Sequence, residues 1–285
     1  MAGGRSLTTD KTMGLMRGAT PLCGGLPSLD WQRPWLQPWM NLGLPVADQA
    51  TAHTPVATAL NAARTAVACP VRFAPADAAP AGEAYEAFIR RTAHVPTRDN
   101  LHDFFNGLVW LRFPQAKARL NQLQSEAIAA QGVGAVRGPV RDAITVFDEN
   151  GALLLAPPSV AAVLWPALLE RDWQALFITH RHLWAQAQLV LFGHALMEQL
   201  VSPRKPITAH VWVMPFEPMG IDPVPALDAA LAADLSAQKL STKPFTPLPV
   251  LGVPGWWPDN AEPLFYADAS VFRPARRAVS VSTQP

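Results

Sequence analysis

Pro96-Thr97-Arg98-Asp99-Asn100-Leu101-His102-Asp103-Phe104-Phe105-Asn106 leads straight into an apolar run that ends at Phe113-Pro114. Asn100 is a good N-cap, and Pro114 stops or restarts a helix, so the stretch reads as a helix from Asn100 to Phe113. With Asn100 at the cap, Asp103 falls at N3, where a carboxylate can reach back in a box-like arrangement and sits in the field of the helix N-terminus. Capping therefore explains Asn100 and Asp103 without any chemistry. It leaves His102 and Asn106, four apart on one face, with Asp103 close to that face. Groups that can ligate a metal or move a proton stand here beside core-forming surface.

A second polar group lies in Phe192-Gly193-His194-Ala195-Leu196-Met197-Glu198. The apolar-rich segment from Leu183 to Leu200 reads as one buried helix, on which His194 and Glu198 share a stripe with Leu191, Ala187, Trp184 and His180. Gly193 would let another element approach closely. A carboxylate carried inward needs a partner, because an isolated buried charge is very costly. Two helices that each present a His and an acid can form a metal site, with His102, Asp103, His194 and Glu198 as ligands or acid/base groups and Asn106 orienting a ligand or water. Imidazole with carboxylate suits a divalent Zn, Fe or Mn ion. The plain alternative is a mutually satisfied buried hydrogen bond. No HExxH or EF-hand pattern sharpens the choice, and a P-loop, a nucleophile elbow and a dinucleotide fingerprint are all missing, since Gly132-Val133-Gly134 lacks the rest of its motif.

Outward from these blocks, helices are expected at about 55–67, 82–93 and on through Ala130 with Gly132 as C-cap. Ile144-Thr145-Val146-Phe147, the turn signal Asp148-Glu149-Asn150-Gly151 and Ala152-Leu153-Leu154-Leu155 favour a hairpin over a helix ending at Gly151. That reading gives Asp148 and Glu149 a sufficient role as turn residues. Two or three helices follow from Ser159 to Val201, then a strand from Ile207 to Met214 and a helix from Pro225 to Leu240. His180 and His182 bracket a helix start, and His210 sits mid-strand. Arg137, Arg141 and Asp142 form a local ion pair or hold an anion, the ion pair being preferred. Trp31, Trp35 and Trp39, with two prolines between them, form an aromatic strap on the core in preference to an exposed patch. The Pro- and aromatic-rich segment 243–274 reads as an arm that wraps the body. The fold expected is α+β and predominantly α-helical: a helical core, a small sheet from about 143–155 and 207–214, and an extended C-terminal arm. It forms one domain over 29–274 between tails at 1–28 and 275–285.

Composition fits. The 285 residues are 49% hydrophobic and only 16% charged, with 29 Pro and a net charge of +1, so nothing electrostatic favours nucleic acid or an anionic membrane. Cys23 and Cys69 are too few and too far apart for a disulfide framework or a zinc knuckle. The N-terminus has no continuous apolar h-region, and the longest apolar stretch is broken by Gln186, Gln188, His194, Glu198 and Gln199, which makes a cytoplasmic location the default. A small-molecule ligand is the partner class left open.

Tyr85-Glu86, Val95-Pro96-Thr97-Arg98, the block Asn100–Asn106, Leu108–Pro114, Lys117, Leu120-Asn121, Arg137-Gly138-Pro139, Arg141-Asp142, Phe147–Gly151, Gly193–Leu196, Glu198 and Pro247–Trp256 resemble the bacterial family catalogued as Domain of Unknown Function 3025. The resemblance covers roughly residues 30–274. It implies that the polar blocks belong to a shared pattern, and it supplies no activity, cofactor or catalytic residue. Two functions are carried forward: a metal-dependent enzyme, of hydrolase type, with a buried His/carboxylate site; and a non-catalytic binding protein whose polar network is structural and whose aromatic straps meet a partner.

Overall fold

The computed structural model describes residues 26, 28–51, 53–131, 138–216 and 224–275. The tails expected at 1–28 and 275–285, the Gly132 cap and Arg137 therefore fall largely or wholly outside the described residues.

The three tryptophans come first. Trp31, Trp35 and Trp39 lie in turns and a short 3-10 segment and are buried, so they are core, as the strap reading expects. Helix α1 (Met40–Gln49) and helix α2 (Val56–Arg64) follow. Strand β1 (Arg72–Pro75) runs parallel to β2 (His94–Thr97), with helix α3 (Tyr85–Thr92) between them.

The opening stretch then becomes α4 (Leu101–Arg112), capped as expected by the Asn100 side chain on the Asp103 amide at 2.8 Å. The Asp103 carboxylate does not close the box. It takes the Arg98 amide and guanidinium instead, which ties the incoming strand to the first turn. From Asp103 to Leu111 every side chain of α4 is buried, which makes it the central helix of the molecule. Helix α2 crosses it at Gly107, where a Cβ would come within 2.2 Å of Leu60.

Helix α5 (Pro114–Gln131) starts at once, with its first free amides, Gln115 and Ala116, held at 2.9 Å by the buried Asp228. The next element corrects the sequence reading. Residues 139–150 are helix α6 (Pro139–Asn150), not the first arm of a hairpin. Pro139 sits at N1, and Ala143, Ile144 and Phe147 bury one face, so tertiary burial overrides the β-branched run. Gly151 is the helix stop and the first residue of β3 (Gly151–Ala156), which is buried throughout.

Helix α7 (Pro158–Leu169) follows. The segment expected as one long helix is instead a 3-10 turn (Arg181–Gln186), strand β4 (Gln188–Leu191) and the short helix α8 (His194–Gln199). Strand β5 (Thr208–Pro215) matches the expected strand, with His210 opposite Pro247 and its ring against Phe245. The segment 225–240 is two helices, α9 (Val224–Asp234) and α10 (Ala237–Ser241), the second capped by Ser236. The arm opens with strand β6 (Thr246–Pro249).

The main sheet has the order β4-β3-β5-β6. Strands β3 and β5 are parallel, with Leu153 opposite Trp212, and the two outer strands are antiparallel to their neighbours. Phe147 of α6 lies on it, stacked on Phe192 at 4.8 Å and beside Trp212 at 5.3 Å. Beyond β6 the arm turns through short 3-10 segments, and the Asn260 amide donates to the Leu251 and Val253 carbonyls. The fold is α+β and predominantly helical, and one contiguous core runs from Leu29 to Phe272. No helix among the described residues is long and apolar enough to cross a membrane.

Candidate metal centre

Three helix ends meet at one place. The first turn of α4 carries His102, the first turn of α8 carries His194, and the last turn of α6 carries Asp148 and Glu149. Gly193 permits the approach: a Cβ there would come within 2.5 Å of the Glu149 carbonyl oxygen and the Gly151 nitrogen. The result is an imidazole pair with Nε2 atoms 3.1 Å apart and ring planes at 77°. Glu149 Oε2 lies 3.5 Å from His194 Nε2. His102, Glu149 and His194 each offer a ligand atom, and these atoms all lie within 4.8 Å of one another. Behind His102, Nδ1 donates to Glu198 Oε2 at 3.0 Å.

The environments of the two imidazoles differ sharply. His194 is almost sealed, and burial pushes its pKa down to about 3, Asp148 opposing and Lys117 and His102 adding to the effect. Burial acts the same way on His102, but the hydrogen bond to Glu198 and the charges of Glu149 and Glu198 outweigh it, so His102 titrates above its ordinary value. Burial and the neighbouring Asp148 raise the Glu149 carboxyl. Asp148 titrates below the usual carboxylate range despite its burial, because the Lys117 ammonium contacts it.

This cluster lies within one recognised stretch: a family profile described as "Protein of unknown function (DUF3025)" matches residues 71–276, most of the chain. The chain belongs to the DUF3025 family. No curated protein and no solved structure matches it. The family's description carries no activity, and the chemistry of this DUF3025 chain lies in its own residues.

Of the residues singled out in the sequence, His102, His194 and Glu198 come together. The stripe drawn back from Glu198 to His180 does not exist, because α8 begins at His194. Asp103 is committed elsewhere, with both carboxylate oxygens taken by Arg98. Asn106 faces away from the imidazoles in its bonding: Nδ2 donates to the Tyr85 hydroxyl at 3.1 Å and Oδ1 accepts from Lys117 Nζ at 3.0 Å. Asp142 pairs with Lys243 at 2.6 Å, and Arg137 lies outside the described residues.

Glu149, Asp148 and Lys117 were missed. A hairpin at this point makes the first two turn residues, with no further role. Had the competing helix been preferred, the burial period of Ile144 and Phe147 would have carried straight on to Asp148, and the acid after it to the same end of the molecule.

Proposed function

We propose that the DUF3025 chain binds a divalent transition metal through His102 Nε2, His194 Nε2 and Glu149 Oε2, and that it is a metal-dependent enzyme of the hydrolase class. The convergence of these three atoms carries the reading. At metal–ligand bonds of about 2.1 Å and tetrahedral angles, two ligand atoms stand about 3.4 Å apart; two of the three separations, 3.1 and 3.5 Å, bracket that span, and all three lie within 4.8 Å. Two histidines and one carboxylate suit zinc, iron or manganese and leave coordination positions for water or substrate. A metal held there would supply a Lewis acid and a bound water acidified to near neutral pH.

The chain's own groups supply the rest. Glu198 holds the Nδ1 proton of His102 and so aims Nε2 inward. The His194 side chain is only 5% exposed, whereas those of His102, Glu198 and Glu149 are 26%, 32% and 35% exposed, so the site has a closed back and an open front where a substrate can enter. The Asp103–Arg98 pair fixes the first turn of α4, from which His102 projects.

A second reading is a structural network, favoured by one observation: 3.1 Å between the Nε2 atoms also fits an N–H···N hydrogen bond. The aromatic straps lend the binding-protein alternative less, since Trp35 and Trp256 are themselves buried.

Elemental analysis of protein purified without an affinity tag, followed by zinc, manganese and cobalt titration of chelator-treated protein, separates the two. One equivalent of metal is expected, with binding lost in Glu149→Gln and His194→Ala variants that keep a native circular dichroism spectrum. No metal in any form, or equal binding by the folded variants, overturns the proposal.

A further inference from the structure

Behind the sealed wall of the site lies a buried ammonium that the three ligands do not account for. Lys117, on α5, is 5% exposed, and its Nζ contacts Asp148 Oδ1 at 2.5 Å and Asn106 Oδ1 at 3.0 Å, over the ring of Trp110 at 5.4 Å. Asn106 passes the chain on to the Tyr85 hydroxyl. Burying a lysine and a carboxylate together is costly compared with apolar residues of the same size, so the pair calls for a reason beyond stability.

The other oxygen of Asp148 shows that reason. Oδ2 stands 3.9 Å from Nδ1 of His194. That span is too long for a hydrogen bond, and Nδ1 is a buried atom without a hydrogen-bond partner. A nitrogen lone pair facing that carboxylate is repelled by it, whereas an N–H there is attracted.

We propose that Asp148, held in place by Lys117, is a positioning residue that fixes the proton of His194 on Nδ1 and thereby turns the lone pair of Nε2 toward the cation site. The proposal rests on the metal-site reading for its purpose, although its geometry stands apart from it. Glu198 does the same for His102 from the opposite side. Each imidazole is then locked by its own carboxylate, with both Nε2 atoms offering electrons to one point. Two such lone pairs 3.1 Å apart repel unless a cation, a proton or a metal ion, lies between them. The second carboxylate thus turns a pair of neighbouring histidines into a cation trap. It also explains a buried lysine: the ammonium on Oδ1 holds the carboxylate in place, so that Oδ2 stays beside His194.

Long-range proton–nitrogen correlation spectra of the metal-free protein, labelled with nitrogen-15 at histidine, read the tautomer directly. The expected result is His194 protonated at Nδ1 in the wild type, with a shift toward the Nε2 tautomer in Asp148→Asn and Lys117→Met. Cobalt or zinc affinity should fall about 10- to 100-fold in the same variants, the usual effect of losing an outer carboxylate. A wild-type His194 protonated at Nε2 overturns the proposal even if both variants fail to fold. Variants that fold with unchanged tautomer and unchanged metal affinity overturn it too. An Nδ1 proton in a protein that takes up no metal upholds the positioning role and removes the metal-site reading instead, so the two failures are distinct.

Discussion

At the scale of single residues, the centre is built from opposed perturbations of like groups. His194 is neutral because water cannot reach it, while His102 is easily protonated because Glu198 and Glu149 surround it. On the proposed reading a metal would displace the proton of His102, so affinity should fall as pH falls through the raised pKa of that residue, beginning above its ordinary value near 6.5. Calorimetry in buffers of different ionisation enthalpy should show proton release on zinc binding at neutral pH, with smaller release in Glu198→Gln, whose His102 loses its strongest support. His194 acts in the opposite sense on stability. The unfolded chain protonates it near pH 6.5 and the folded one only at about 3, so its share of stability is lost as pH falls across that window. For the metal-free protein this group alone amounts to on the order of 5 kcal/mol across that window, readable as a steeper loss of denaturant stability between pH 6.5 and 4 than in a His194→Leu variant. His194 and Glu198 were legible in the sequence because their i,i+4 spacing marks a shared face, and His102 because the helix cap leaves it unexplained, although its expected face-mate Asn106 bonds elsewhere. Glu149 was not, since nothing local separates an acid in a turn from an acid at the end of a helix.

At the scale of elements, the site exists because the start of α8 touches the end of α6. Gly193 makes that contact possible, and the sequence did show that glycine as a place of close approach. Its replacement by alanine must push apart backbone atoms that have no flexible side chain to yield, at a cost of about 1–3 kcal/mol. Because the displaced helix carries His194, Gly193→Ala should weaken metal binding more than it lowers the melting temperature; metal affinity intact at reduced stability would show that the helices carry no positional precision. Asp228 is a contrasting case, a long-range cap rather than a site residue. Its carboxylate satisfies the Gln115 and Ala116 amides at the start of α5, and Asp228→Ala should cost about 2 kcal/mol in chemical denaturation while leaving metal binding unchanged. The elements misread from sequence share one cause. Ile144-Thr145-Val146 and the stretch from Leu183 to Leu200 have local preferences that several structures satisfy, and packing decides among them: α6 lies on α5, α10 and the main sheet, and α8 on α4.

At the scale of the whole molecule, the two ends of the described chain close on each other. Trp35 of the first turns packs against Trp256 of the arm at 5.8 Å, and the arm adds β6 to the main sheet before folding onto Arg181, which contacts both Asn260 and Tyr266. Proline density and aromatic content made this wrapping legible in outline. The edge strand was not, because Thr246–Pro249 holds two prolines, and only an edge position, where an amide can go unused, tolerates them. The arm is therefore a structural part of the sheet, and its tryptophans should behave as core. Trp35→Ala should cost about 3–5 kcal/mol, a large share of the roughly 5–15 kcal/mol that holds a typical domain together. Trp35 is 1% exposed and Trp256 is 9% exposed, so the Trp256→Ala loss should be the smaller. Since the two rings touch, the double variant should lose less than the sum of the singles in urea melts. A stable, fully folded Trp35→Ala protein that has lost only the capture of a partner would return these aromatics to the surface and revive the binding-protein reading. Partial unfolding of the arm with the metal centre intact would instead show that the site depends on α4, α6 and α8 alone.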